Sequence, residues 1–252
     1  MKQIADAIKS NFPDYCDTIY CKSSGTLPNT GTDYFLFGNK VEAVAKENNI
    51  LFSVNWVEGQ KTGFFLDQRE NRKLLGEFSK DKKVLNTFCY TGGFSIYAMS
   101  AGAELVTSVD ISQKAVDLAA SNMELNFPNT NHKAVADDVF NFMKEHTQQY
   151  DVIVLDPPAF AKSIKSKHTA TQAYKRLNIA GLKALAPNGI LFTFSCSQVI
   201  DDVLFYNTIA AAAIETGRNI RVLHKLEQGP DHPTNIYHPE GHYLKGLVLF
   251  VE

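Results

Sequence analysis

From about residue 83 the sequence alternates between two hydrophobic periods, and this alternation restricts the chain more than any other feature. Short β-branched runs, KVLNTF (83–88), LVTSVD (105–110), HKAVAD (132–137), YDVIVLD (150–156) and GILFTFS (189–195), are separated by stretches with helical spacing of apolar residues. Strands that alternate with helices run parallel, because each crossover returns the chain to the same end of the sheet, and helices must then cover both faces. The helix after LVTSVD shows the pattern best: Ser112 is a good N-cap, and Val116, Ala119, Ala120 and Met123 form one buried stripe. Further helices are expected around 139–147, 170–186 and 202–216, with Pro187, Asn188 and Gly189 ending the second of these and turning the chain into the next strand. NIRVLHKL and KGLVLFVE read as two final strands, joined by the loop DHPTNIYHPEGHY. The expected fold is α/β: a Rossmann-like, doubly wound, seven-stranded, mainly parallel sheet.

Residues 1–60 break this rhythm. IADAIKSNF reads as a short helix and DTIYCKS as a strand, followed by a loop rich in Gly, Thr and Asn. EAVAKENNILFSVNW is two apolar-alternating runs about Asn48 and Asn49, the pattern of a hairpin. The expected organisation is a small α+β appendage over 1–60 and a larger domain over 61–252.

Composition excludes several classes. Charges within the first ten residues and the lack of a long uncharged apolar run argue against a signal peptide or a membrane span, and place the chain in the cytoplasm. The four cysteines, at 16, 21, 89 and 196, have neither paired metal-site spacing nor the density of a disulfide scaffold. The spacing of His238 and His242 hints at a metal, but loop histidines are usually surface residues, so no metal is expected. Net charge is −2, yet between Asp156 and Asp201 there is no acidic residue, while Lys162, Lys165, Lys167, Lys175, Arg176 and Lys183 give that stretch a local charge of +6. A polyanion is a natural partner for it. Oligomeric state is not legible.

In doubly wound sheets ligands bind beyond the carboxyl ends of the strands. The first strand is followed by NTFCYTGGFS, where Gly92 and Gly93 let the backbone approach a ligand and open a helix. The second ends in Asp110, eighteen residues past Gly92, where an acid can hold two ribose hydroxyls. The third ends in Asp137 and Asp138, one of which can accept from an adenine amine. No long phosphate-cradling motif is present, so the ligand is a nucleoside-bearing cofactor without a phosphate run, and S-adenosylmethionine fits. Phe88 and Tyr90 stand where such loops usually carry glycine.

The fourth strand ends in LDPPAF (155–160), a stiff turn projecting Asp156 and an aromatic ring, and the fifth ends in FTFSCSQ, which delivers Cys196 beside it. A thiol there is either a small buried hydrophobe or a nucleophile able to add to C6 of a pyrimidine, making C5 a carbon nucleophile for a methyl group. Two other readings stay open: methylation of an exocyclic base amine with Phe160 stacking on the base, and a non-catalytic module holding cofactor or RNA.

At these residues the chain resembles the bacterial methyltransferases that modify carbon 5 of a cytosine in large-subunit (23S) ribosomal RNA, which have the class I S-adenosylmethionine-dependent fold. The resemblance is carried by GQKTGFFLDQRENR (59–72), VLNTFCYTGGFS (84–95), SVDISQKAVDLA (108–119), DDVF (137–140), VIVLDPPAFAKS (152–163), AYKRLN (173–178), LFTFSCS (191–197), DHP and PEGHYLKG. It implies that Cys196 is the nucleophile and that Asp156 orients the base through its N3 edge and lies against the cofactor. It also implies that Asp110 and Asp138 hold ribose and adenine, that Tyr90 and Gly92 belong to the cofactor loop, and that Asp67, Gln68 and Arg69 close over the cofactor from the appendage side. His232, Glu240 and Lys245 match the terminal motif without an implied role. Relatives commonly carry a further N-terminal RNA-binding domain, not seen in this sequence. Pro157 and Pro158 stand where other cytosine methyltransferases have a second cysteine, so the base that removes the C5 proton has no candidate.

Overall fold

The structure, a computed structural model, describes residues 1–24, 32–161 and 163–252; most of the Gly-, Thr- and Asn-rich loop, and Lys162, lie outside the described residues. The chain divides into two compact units, Met1–Phe65 and Leu66–Glu252.

In the first unit, helix α1 (Lys2–Asn11) precedes strand β1 (Ile19–Cys21), which pairs antiparallel with β2 (Tyr34–Phe37). The sequence pattern did not separate β2, YFLF, from its loop: four consecutive large residues carry no alternation to mark a strand. Strands β3 (Glu42–Glu47) and β4 (Ile50–Asn55) form the expected hairpin. Asn48 and Asn49 turn it with φ of 47° and 68°, the paired left-handed geometry that a two-residue hairpin turn requires.

The second unit begins with helix α2 (Arg69–Glu77) and strand β5 (Lys83–Thr87). Helix α3 (Gly93–Ser100), β6 (Leu105–Asp110), α4 (Gln113–Asn126), β7 (His132–Ala136) and α5 (Val139–Glu145) follow. Next come β8 (Tyr150–Leu155), α6 (Lys167–Ala184), β9 (Leu185–Ser195), α7 (Asp202–Thr216), β10 (Ile220–Leu226) and β11 (Lys245–Val251). The seven strands lie in the order β10-β11-β9-β8-β5-β6-β7. Strands β9, β8, β5, β6 and β7 are parallel, while β11 inserts antiparallel between β9 and β10. The chain winds one way from β5 to β7 and the other way from β8 to β9, so the switch point lies between β5 and β8. Leu85, Ile153, Leu155 and Leu191 of the central strands are fully buried, as parallel strands covered on both faces require.

One boundary departs from expectation. Helix α6 runs from Lys167 and ends at Ala184, and Pro187, Asn188 and Gly189 lie inside β9 instead of between helix and strand. They form an irregularity in the ladder, where Tyr150 pairs with Leu185 and Val152 with Ile190. The cause is distant in sequence. The Arg218 guanidinium donates to the carbonyls of Leu182, Leu185 and Ala186 at 3.0, 3.1 and 3.2 Å, taking up carbonyls that the helix end leaves without partners.

Candidate active site

The carboxyl ends of β5, β6, β7, β8 and β9 share one edge of the sheet. Beyond β5, Phe88 and Tyr90 have φ of 52° and 45°. The residues that replace glycine therefore keep glycine's backbone conformation, at a cost of about 1–2 kcal/mol each for an L-residue. Hydrogen bonds hold the loop in place: Cys89 N–H donates to the Val109 carbonyl (3.1 Å) and Tyr90 N–H to Asp110 Oδ2 (3.2 Å). Gly92, with φ of 77°, is the N-cap of α3, and a Cβ on it would meet Ala119 Cβ at 3.0 Å and Ala119 Cα at 3.1 Å. Only glycine fits there.

Asp110 ends β6, and its second oxygen accepts from Ser112 N–H at 3.0 Å. The N–H of Asp137 donates to the Asp110 carbonyl (3.0 Å), which brings the end of β7 alongside. Asp138 caps α5 through Oδ1, accepting from Phe140 and Asn141 N–H at 2.9 and 3.1 Å, and Oδ2 stands outside the cap. These carboxylates thus serve the fold with one oxygen or both.

Asp156 follows Leu155, whose partner on β9 is Thr193, so Cys196 emerges beside it. Cys196 Sγ lies 4.0 Å from the Pro157 carbonyl oxygen and is partly exposed, between buried Ser195 and Ser197. Enclosure of the Asp156 carboxyl pushes its pKa up to about 7, helped by the charge of Asp67; a hydrogen bond from Gln68 and the charge of Arg72 pull the other way. Cys89 is different: it is buried, and burial together with Asp110 pushes its thiol far up. Tyr174 of α6 shares a hydrogen bond with Ser197 Oγ at 2.9 Å, while its ring lies 4.7 Å from that of Phe160. Ala161 N–H also donates to Ser197 Oγ (3.4 Å), so the DPPAF turn and the SCS turn form one wall. Phe160 is part of that wall.

Asp67 and Gln68, in a turn of 3-10 helix before α2, belong to the second unit. Asp67 Oδ2 accepts from the Tyr243 hydroxyl (2.7 Å), and the Asp67 carbonyl accepts from Gly229 N–H (3.3 Å). Asn71 donates to Gln68 Oε1 (2.7 Å) and to the Glu227 carbonyl (3.2 Å), and Arg69 meets Asp231 at 3.1 Å. The DQR segment and the terminal loop therefore form one block, with Arg69 turned toward Asp231 and Glu70. Sequence reasoning missed Arg72, Tyr174 and Tyr243. Arg72 is buried four residues beyond Gln68, one helical turn on, and its Cδ would lie 3.0 Å from a Cβ on Gly93; that spacing was the available signal.

His238 meets Glu240 and His242 meets Asp202, both at 3.2 Å; among the described residues no three His, Cys, Asp or Glu side chains are grouped as metal ligands. Two of the lysines in the basic stretch are countered by α7, Lys167 by Asp201 (3.4 Å) and Lys175 by Glu215 (2.6 Å), so the local charge is smaller than the sequence suggests. No helix among the described residues is long and apolar enough to cross a membrane.

A family model described as S-adenosylmethionine-dependent methyltransferase matches residues 27–248. The chain belongs to that family. It is 40% identical over 255 residues to "Ribosomal RNA large subunit methyltransferase I" of Aeromonas hydrophila, covering 98% of this chain and 64% of the relative. The protein of the same name from Vibrio parahaemolyticus is 42% identical, with 98% and 65% covered. The chain thus spans just under two thirds of the length of both of these relatives. Among solved structures, "A putative sam-dependent methyltransferase from Streptococcus mutans" is 27% identical with a TM-score of 0.83, covering 98% of this chain and 65% of its own. The structure named "a putative methyltransferase complexed with SAH" has the same identity and TM-score, with 98% and 66% covered. One local observation fits the family's cofactor: Asp67 Oδ1 is a buried acceptor with no partner among the described residues. Such an oxygen suits an ammonium group.

Proposed function

We propose that the chain methylates carbon 5 of a cytosine in large-subunit ribosomal RNA through a covalent adduct with Cys196. The observation that carries this reading is a partly exposed sulfur, 4.0 Å from the Pro157 carbonyl, at a strand end adjoining that of Asp156. When bound, S-adenosylmethionine supplies an electrophilic methyl group on its sulfonium. Asp110 receives the ribose, Asp138 Oδ2 the adenine amine, Tyr90 and Gly92 line the loop, and Asp67, Gln68 and Arg69 border the methionine side. Asp156, with a pKa near neutrality, holds a proton for the N3 edge of the base. The Cys196 thiolate would add to C6 as Asp156 gives its proton to N3, C5 would take the methyl group with release of S-adenosylhomocysteine, and loss of the C5 proton to solvent would expel the thiolate, restore the double bond and return the N3 proton to Asp156. Relatives named for ribosomal RNA methylation support the substrate class.

The test is RNA carrying 5-fluorocytosine, whose C5 has no proton to lose. Wild-type protein with cofactor is expected to give a denaturation-resistant adduct, and Cys196→Ala none. Nucleoside analysis of labelled ribosomal RNA should find 5-methylcytidine; a methylated exocyclic amine, or methylation retained in Cys196→Ala, overturns the proposal.

A further inference from the structure

Lys245, the first residue of β11, is 3% exposed and stands opposite Ser195 of β9. Its Nζ donates to the carbonyl oxygens of Ser197 (2.9 Å) and Tyr243 (2.8 Å). One ammonium therefore ties the turn that carries the Cys196 sulfur to the segment that ends in the Asp67 partner. Neither bond reaches a carboxylate. Taking an ammonium out of water costs several kcal/mol, so a buried lysine keeps its charge only with an anion at hand. The groups facing Lys245 that can carry negative charge are Asp202 and Asp201, from the start of α7, and Cys196 when it is ionised. Both aspartates are engaged elsewhere. Asp201 caps α7 by accepting from Leu204 N–H (2.8 Å) and meets Lys167, and Asp202 meets His242. Burial lowers the pKa of Lys245 on balance, and Asp202, an ionised Cys196 and Asp201 pull the other way.

We infer that Lys245 is a positioning residue that holds Cys196 as a thiolate by its charge, its ammonium anchored on the Ser197 carbonyl of the same turn. The inference rests on the reading of Cys196 as nucleophile. The thiol proton leaves to solvent, the ammonium keeps its own, and no covalent bond is made or broken. A thiolate beside a lysine is the usual device for a reactive cysteine.

Alkylation of the folded protein by iodoacetamide across a pH series, followed peptide by peptide by mass spectrometry, reads Cys196 apart from the partly exposed Cys16. Wild-type Cys196 is expected to half-react about one pH unit or more below the ordinary thiol value of about 8.5. Lys245→Gln keeps hydrogen-bond donors but no charge and should move that midpoint up by about one unit, as should Lys245→Met. A purely structural lysine predicts no shift in Lys245→Gln. An ordinary midpoint in the wild type, or coincident wild-type and Lys245→Gln profiles, overturns the inference; should the variants fail to fold, the wild-type profile alone decides. The 5-fluorocytosine adduct separates the two claims. An adduct formed by a thiol of ordinary midpoint removes the role of Lys245 and leaves the covalent route, whereas a lowered midpoint without an adduct does the reverse.

Discussion

Tyr243 donates its phenolic hydrogen to Asp67 across 2.7 Å and 176 residues of sequence. The bond joins the turn that opens the methyltransferase unit to the loop that enters its last strand. Burial, reinforced by the Asp67 carboxylate, pushes the pKa of Tyr243 up, which keeps the phenol a donor at neutral pH.

Tyr243→Phe deletes that donor and leaves a carboxylate with two unpaired oxygens. Leaving a buried acceptor unsatisfied costs about 1–3 kcal/mol. The urea midpoint should fall accordingly, and calorimetric titration with S-adenosylhomocysteine should show about tenfold weaker binding, the equivalent of about 1.4 kcal/mol. Unchanged values for both would mean that Asp67 does not depend on the phenol.

Asp156 makes stability depend on pH. Its folded pKa of about 7 lies above the ordinary 3.8, so the folded chain binds the proton more tightly. The stabilisation is present in full below pH 3.8 and is lost as pH rises through about 7. Asp156→Asn should flatten this slope, seen as urea midpoints that no longer decline between mildly acidic and neutral pH.

His132 acts with the opposite sign. Burial lowers its pKa from 6.5 to about 4, while Nε2 shares a 2.8 Å hydrogen bond with Ser108 Oγ. Folding favours the neutral ring, so its contribution is complete above pH 6.5 and disappears as pH falls through about 4. Nuclear magnetic resonance titration of the ring protons should give the low midpoint, and His132→Gln should make the protein less sensitive to acid.

Gly92→Ala forces a Cβ to within 3.0–3.1 Å of Ala119 at φ of +77°. Strain and overpacking together should cost about 2–4 kcal/mol and weaken cofactor binding. Gly217→Ala is the control: it has a similar φ of +67° with open space around it, and should cost only about 1 kcal/mol with binding intact.

The sheet was legible in the sequence because parallel strands and amphipathic helices have different periods, and all seven strands fall on the runs read as such. The strand-end residues were legible for the same reason, since topology fixes where a strand stops. What escaped depended on distant partners. The end of α6 is set by Arg218, which no local signal near Pro187 reveals. Tyr243 and Lys245 act through β11, whose place between β9 and β10 follows from the long return of the chain and not from its own sequence. The basic stretch looked more charged than it is, because Asp201 and Glu215 reach it from another helix.

The insertion of β11 also orders events in time. On a translating ribosome the parallel strands and their acidic ends emerge well before β11, so they can fold early around a surface that lacks Lys245. The sheet is completed only when β11 slides between the two earlier strands β9 and β10. On the role of Lys245 inferred above, a nascent chain carries its cysteine without the neighbour that readies it until β11 is in place, a built-in delay between folding and reactivity.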